Sequence, residues 1–163
     1  MPNWTENTIE ITFDNPTLTP SVMLKRAQDI IENVTTESEL DFEKIIPMPA
    51  DVYRESLGYE EMKKYPNNWY DWSRRNWGTK WNACNSYWDG SNVITFSTAW
   101  CPVPQILRAL SIKYPEATFL YKYTNEDDGY EMMYEEAWSD GDCLYETSYT
   151  NPNYEPYDEE DYE

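Results

Sequence analysis

Residues 93 to 123, VITFSTAWCPVPQILRALSIKYPEATFLYKY, decide the fold. The first six are β-branched or aromatic with interspersed hydroxyls and read as a strand. Pro102 or Pro104 opens a helix, where a missing amide proton costs nothing. Ile106, Leu107, Leu110 and Tyr114 recur at helical spacing and form its buried stripe. Pro115 ends it, because proline cannot sit in a helix interior without losing a hydrogen bond. Phe119, Tyr121 and Tyr123 then alternate, which is the period of a second strand.

The same punctuation extends outward from this unit. Residues 79–87 read as a strand joined to residues 93–98 by a turn at Asp89, Gly90 and Ser91. Near the start of the chain, Ile9, Ile11 and Phe13 alternate with Thr8, Glu10 and Thr12, a half-buried strand. Thr19 as cap and Pro20 at the first helical position open a helix. Its face is Met23, Leu24, Ala27, Ile30 and Ile31. Leu40 and Phe42 alternate with Asp41 and Glu43, giving another strand that stops at Pro47 and Pro49. Residues 50–78 form a Trp-rich insertion, with a short helix capped near Asn68, running through Trp69, Trp72 and Arg75, and closed by Gly78. After a turn-rich run at 125–129, residues 130–138 and 143–149 make a hairpin about Asp140-Gly141, a strong two-residue turn signal.

Two helices separated by strands and short hairpins predict an α+β fold, with both helices on one face of a mainly antiparallel sheet. The ferredoxin-like β-α-β-β-α-β plan fits this order. The expected organisation is a core over residues 1–125, an acidic hairpin at 126–150 packed on the same domain, and an acidic, tyrosine-rich tail at 151–163. The chain has 163 residues, about one domain.

Charge is the second signal. The chain carries 31 acids, 12 bases and no histidine, a net charge of −19. Affinity for phosphates and for anionic lipid comes from Lys and Arg, so direct binding of nucleic acid or membrane is not expected. The charge is also segregated. Residues 1–125 hold 16 acids and all 12 bases, whereas residues 126–163 hold 15 acids and no base. A need for solubility alone does not segregate charge in this way. If Asp140 and Gly141 are the loop of a two-residue hairpin, Glu135 faces Glu146 across the strands and Glu131 continues that face. Like charges so placed cost up to about 1 kcal/mol. A longer loop or a slipped register separates them. The tail acids Glu155, Asp158, Glu159, Glu160 and Asp161 are interleaved with tyrosines, which can meet Arg and Lys by ion pairing and cation–π contact.

Several chemistries are missing. Without histidine there is no Ser-His-Asp or Cys-His pair, and five glycines form no phosphate-cradling loop. Cys84, Cys101 and Cys143 are odd in number and widely spaced, so they read as buried or half-buried free thiols in a reducing cytoplasm. No catalytic residue, cofactor or metal is expected. No apolar stretch reaches membrane-spanning length, and the first residues lack the character of a signal peptide, so the expected location is the cytoplasm.

Particular strings carry a resemblance. They are Met1-Pro2-Asn3-Trp4 with Asn7; Asp41 through Pro49; Asn76-Trp77-Gly78-Thr79-Lys80-Trp81-Asn82-Ala83; Phe96 through Pro102; and Leu110-Ser111 with Tyr114-Pro115. Together they resemble the YubB ferredoxin-like family of phage and plasmid proteins, from the first residue to about Tyr123. Thr5 stands where that family usually has Cys, and the family's glycine-and-aromatic ending is replaced by Asp127-Asp128-Gly129 and the acidic hairpin. The resemblance implies a ferredoxin-like fold and a mobile-element origin. It supplies no established activity.

The function expected from these observations is a phage-type inhibitor of a host defence protein: a CRISPR effector, a restriction enzyme or another nuclease. It would occupy the target's nucleic-acid groove with Glu126, Asp127, Asp128, Glu131, Glu135, Glu136, Asp140, Asp142, Glu146 and the tail acids. The implied partner is a basic, nucleic-acid-binding host protein. An alternative is an assembly module whose interface is the Trp-rich segment, with Trp69, Trp72, Arg74, Trp77, Lys80 and Trp81. A second alternative is a single-strand nucleic-acid accessory protein using Trp72, Arg74 and Lys80, where aromatic rings beside bases can stack nucleobases. A compact aromatic minicore explains the same cluster without a ligand.

Overall fold

The alternation at the start of the chain is realised as β1 (Trp4–Thr12), whose inward residues Asn7, Ile9 and Ile11 are buried. This computed structural model describes residues 2–156. α1 (Pro20–Asn33) follows, with the Thr19 hydroxyl accepting from the Val22 amide at 3.3 Å and Pro20 opening the first turn. Two-residue strands β2 (Thr35–Thr36) and β3 (Glu39–Leu40) pair with each other. Two short helices, α2 (Tyr59–Lys64) and α3 (Trp69–Asn76), lie within the long connection to β4 (Cys84–Trp88). β5 (Val93–Ala99), α4 (Pro104–Lys113) and β6 (Thr118–Asn125) complete the core. β7 (Met132–Ser139) and β8 (Asp142–Thr150) form the C-terminal hairpin.

Six strands form one sheet in the order β4-β5-β1-β6-β7-β8, with every neighbouring pair antiparallel. The succession β1-α1-β4-β5-α4-β6, with spatial order β4-β5-β1-β6, is the ferredoxin-like arrangement. β7 and β8 widen it beyond β6. Ile9, Ile11, Ile94, Phe96, Phe119 and Tyr121 face inward, against Ala27, Ile30 and Ile31 of α1 and Ile106, Leu107 and Leu110 of α4. Each of the large aliphatic or aromatic side chains stabilises the fold by about 1.5–3 kcal/mol through removal from water. On the other face, Glu6, Thr8, Glu10 and Thr12 of β1 remain exposed or half-buried, and among the described residues no helix layer covers it. Among the described residues no helix is long and apolar enough to cross a membrane.

One buried polar network joins the layers. The Asn7 amide nitrogen donates to the Thr5 and Phe96 carbonyls and to the Thr98 hydroxyl. The Tyr121 hydroxyl donates to the Asn7 side-chain oxygen and accepts the Val103 amide at 3.0 Å, at the residue that caps α4. Asn7 and Tyr121 are 2% and 0% exposed, so every one of these bonds replaces water that cannot reach the site. β1, β5, β6 and the start of α4 are thereby fixed to one another.

Several expectations need correction. The strand expected at residues 40–43 is only the pair Glu39–Leu40; the chain then turns into a 3-10 helix at Phe42–Lys44. Asp41 caps that turn by accepting the Glu43 amide, and the Asn82 side chain accepts the Phe42 amide at 2.8 Å. Leu40 and Phe42 are both buried, as their alternation implied, but across a turn and not along a strand. The strand expected from residue 79 starts at Cys84. Before it, Thr79 donates its hydroxyl to the Ala99 carbonyl and the Lys80 carbonyl accepts from the Ser73 hydroxyl, bonds that replace a ladder. Among the described residues four α-helices stand where three were expected: two in the core and one in the insertion, which gains α2. Leu24, expected on the buried face of α1, is 43% exposed at the rim of a groove with Phe13, Pro20 and Met23. Cys84 and Cys143 are half-buried free thiols, but Cys101 is exposed.

Tyr121→Phe keeps the ring and strands two buried partners, the Asn7 oxygen and the Val103 amide. It is expected to destabilise the protein by about 1–3 kcal/mol. Urea unfolding should show a lower midpoint with an unchanged slope. An unchanged midpoint would show that the network contributes no net stability.

Candidate partner-binding site

The hairpin is set by its turn. Asp140 and Gly141 both have positive φ, 47° and 83°, the pattern of a type I′ loop that matches strand twist. The Gly141 amide donates to the Ser111 hydroxyl at 2.8 Å, and a Cβ at Gly141 would lie 3.1 Å from Ile112, so the turn is seated on the end of α4. Ser139 faces Asp142 and Trp138 faces Cys143, as a two-residue loop requires. Beyond that the register shifts. Leu144 is an extra residue, 59% exposed, and Ala137 faces Tyr145. The bulge corrects the expected charge pair: Glu136, not Glu135, faces Glu146, and Glu135 faces Thr147.

The correction divides the acids between the two faces of the sheet. Glu135 lies on the face without helices. There it pairs with Lys122 at 3.4 Å and accepts the hydroxyls of Tyr145 at 3.1 Å and Tyr149 at 3.3 Å. Glu136 and Glu146 lie on the helix side, in the row that runs from Ile9 through Tyr121. They line a cavity of about 300 Å³ together with Tyr123, Tyr134 and Ser148, and Glu135 and Thr147 also border it. The Tyr123 and Tyr134 rings stack there at 5.1 Å and 15°.

Glu136 is the unusual group. It is 7% exposed, and its only hydrogen bond among the described residues is a long one, from the Trp138 indole to Oε2 at 3.4 Å. No described cation pairs with it. Burial raises its pKa above the ordinary carboxylate range; the Trp138 bond opposes this and Glu146 adds to it. Burial, helped by the Glu136 charge, pushes the Tyr123 phenol up to about 12. Burial and the same two carboxylates raise the Cys143 thiol, so it is no activated nucleophile.

The remaining acids are distributed along the margin. Glu126 accepts the Trp4 amide at 2.7 Å, and Asp127 accepts the Asn3 side-chain amide, so the 3-10 turn Glu126–Asp128 is tied to the start of β1. One oxygen of Asp128 is buried with no partner. Glu131 is exposed ahead of β7, Asp140 and Asp142 are exposed at the turn, and Glu155 is exposed beyond β8. Asp158, Glu159, Glu160 and Asp161 lie outside the described residues. Among the described residues no group of three or more Cys, Asp and Glu side chains could hold a metal ion.

The Trp-rich segment separates into two parts. Trp77 is buried, donates its indole to the Ile46 carbonyl at 2.9 Å, and meets Phe42 and Trp72 edge-on. Trp69 is half-buried and donates to the Glu55 carbonyl at 3.0 Å, while Arg74 sits over the Tyr70 ring at 5.2 Å. These residues form a minicore. Lys80 and Trp81 leave it: the Lys80 ammonium lies 4.0 Å from the Trp81 ring centre and 4.1 Å from that of Trp100, and Trp81 leans on Trp4. Trp4 and Trp100 were not expected here. Their meeting depends on the β1–β5 register, Trp4 opposite Ala99, which no local pattern carries.

A family model described as the ferredoxin-like domain in Api92-like protein matches residues 76–147. The matched span runs from the end of α3 into β8, so it includes most of the acidic hairpin as well as β4, β5, α4 and β6. No curated protein and no solved structure matches significantly.

The Glu136 environment makes a signed prediction. A carboxylate whose folded-state pKa is raised destabilises the fold fully above that pKa, and the penalty vanishes below the unfolded value. Glu136→Gln is therefore expected to be more stable than the parent at neutral pH, with the difference shrinking as the pH falls through the carboxylate range. Thermal melts across that range test this. A difference that stays constant with pH would mean that Glu136 is not a desolvated carboxylate.

Proposed function

We propose that this protein acts by binding, not catalysis, and that its C-terminal margin occupies the cationic groove of a nucleic-acid-binding host protein. The observation that carries the reading is the segregation of charge. The last 38 residues hold 15 acids and no base, and most of that segment up to residue 150 is ordered as two strands and not left as a tail. A cation-lined groove built to hold nucleic acid would be attracted by such a margin.

Because the carboxylates emerge from both faces and both ends of the hairpin, the margin suits a cleft with two basic walls better than a flat basic surface. Duplex DNA also presents charge around its circumference, about one per 1.7 Å of axis. Glu131, Asp140, Asp142 and Glu146 are the exposed carboxylates best placed to supply that field within the described residues. Glu135 contributes less, since Lys122 partly neutralises it.

The resemblance to the YubB family of phage and plasmid proteins supports an anti-defence role in the cytoplasm of a host cell, against a CRISPR effector, a restriction enzyme or another nuclease. The assembly-module reading is favoured by one observation, the cluster of half-buried Trp4 and Lys80 with exposed Trp81 and Trp100 at the end of β1 and β5. Trp69, Trp72 and Trp77 are engaged in internal packing and support neither that reading nor single-strand binding.

The test is inhibition of DNA cleavage by a panel of purified defence nucleases. Inhibition of at least one is expected. It should weaken steeply as salt shortens the Debye length below about 8 Å. The triple change Glu131→Gln, Asp142→Asn and Glu146→Gln alters exposed side chains and should leave the melt intact while reducing inhibition at least about ten-fold, a loss of about 1.4 kcal/mol. Inhibition that survives the triple change in a folded protein would contradict the proposal.

A further inference from the structure

The cavity on the helix side of β6, β7 and β8 has the composition of a receptor for a single cationic group. Glu136 and Glu146 are directly opposed across the β7–β8 pair. Like charges in this relation are destabilising. One of them, Glu136, is more than nine-tenths buried and lines the cavity with its Oε1 lacking any partner among the described residues. A buried carboxylate in that state carries a desolvation cost that its own structure does not offset. Residues 157–163, which lie outside the described set, contain no Lys or Arg, so that segment brings no side-chain counter-charge to it.

We propose that this cavity is a subsite for an arginine side chain of the protein partner. The inference rests on the reading of the hairpin as a surface for a cationic protein, and it names the chemistry of one contact within it.

Three features select a guanidinium. Two neighbouring carboxylates offer a row of acceptor oxygens, which a planar fork of five donors can engage together. The tyrosine pair Tyr123–Tyr134 provides an aromatic wall, on which a guanidinium can rest. A guanidinium is also more weakly hydrated than an ammonium, so it loses less on entering a site where one carboxylate is already largely buried. A metal ion is disfavoured, because the site lacks a third ligating side chain. Neither Lys122 nor Lys113 is the occupant: Lys122 is paired with Glu135 from the opposite face, and Lys113 donates to the Lys44 carbonyl.

The probe is the capped tripeptide acetyl-Gly-Arg-Gly-amide, with the Lys and Gln analogues as controls. Each is titrated into the full-length protein and followed by amide NMR. Saturable shifts at residues 123, 134, 136 and 146 are expected with the Arg peptide, weaker ones with Lys, and none with Gln. Glu136→Gln is expected to weaken the Arg peptide about ten-fold, the scale of one charge-assisted bond. Glu32→Gln, at an exposed residue of α1 that does not line the cavity, should leave affinity within about two-fold, as a remote charge partly screened by salt. Equal effects of the two substitutions, absence of saturable binding, or equal binding of Lys and Arg peptides would each overturn the assignment. Spectra of the variants establish that both are folded. The outcomes separate from those of the nuclease assay. Arg-peptide binding at this cavity without inhibition of any nuclease would retain the subsite and remove the anti-defence role. Inhibition without peptide binding would do the reverse.

Discussion

The hydroxyl of Tyr121 is the constraint on which the rest of the molecule depends. It is buried, it accepts the amide at the start of α4, and it donates to Asn7 in the middle of β1. Those bonds fix the stagger of β6 against β1 and the seat of α4 on the sheet. Once β6 is placed, β7 follows by pairing, and one row crosses the sheet in order: Trp88, Ile94, Ile9, Tyr121, Glu136, Glu146. The row passes from apolar core, through a phenol, to a buried carboxylate and then an exposed one. The acidic margin is therefore continuous with the hydrophobic core and held by the same register.

That continuity explains how a segment with no base remains folded. On the open face, Lys122 reaches across from β6 to Glu135, and two tyrosine hydroxyls complete its shell. At the near end, Glu126 and Asp127 satisfy the Trp4 amide and the Asn3 side chain. At the far end, the turn is bonded to Ser111. The helix-side pair Glu136 and Glu146 has no cation among the described residues, and Glu136 keeps only the long bond from Trp138. Breaking a buried pair by removing one partner is costly, whereas a site lacking its cation gains when the cation arrives. Under the proposed reading, the Glu136 charge serves partner binding and not stability.

Much of the architecture was legible because proline and turn residues mark the element ends. Thr19-Pro20, Pro104, Pro115 and Asp140-Gly141 each stand where the structure starts or stops an element. The ferredoxin-like order followed from them. The parts that were not legible depend on contacts distant in the chain. Phe42 alternates with Leu40 as in a strand, yet Asn82 and Asp41 cap it into a 3-10 turn. The turn predicted the hairpin and its first two pairs, but the bulge at Leu144 left no local signal and exchanged Glu135 for Glu136 as the partner of Glu146. Six aromatic and basic residues were grouped by proximity in sequence. Folding sends Trp69, Trp72 and Trp77 inward and sends Lys80 and Trp81 to meet Trp4 and Trp100.

The central claim is that negative potential is concentrated on both faces of the β7–β8 margin. Amide-resolved relaxation enhancement by a cationic nitroxide, divided by that of a neutral one, reports this potential residue by residue in the free protein. The account predicts the highest ratios along residues 131–150 on both faces, falling toward unity as salt shortens the Debye length to about 3 Å. A ratio that is uniform from β4 to β8, or highest over α1, would contradict it.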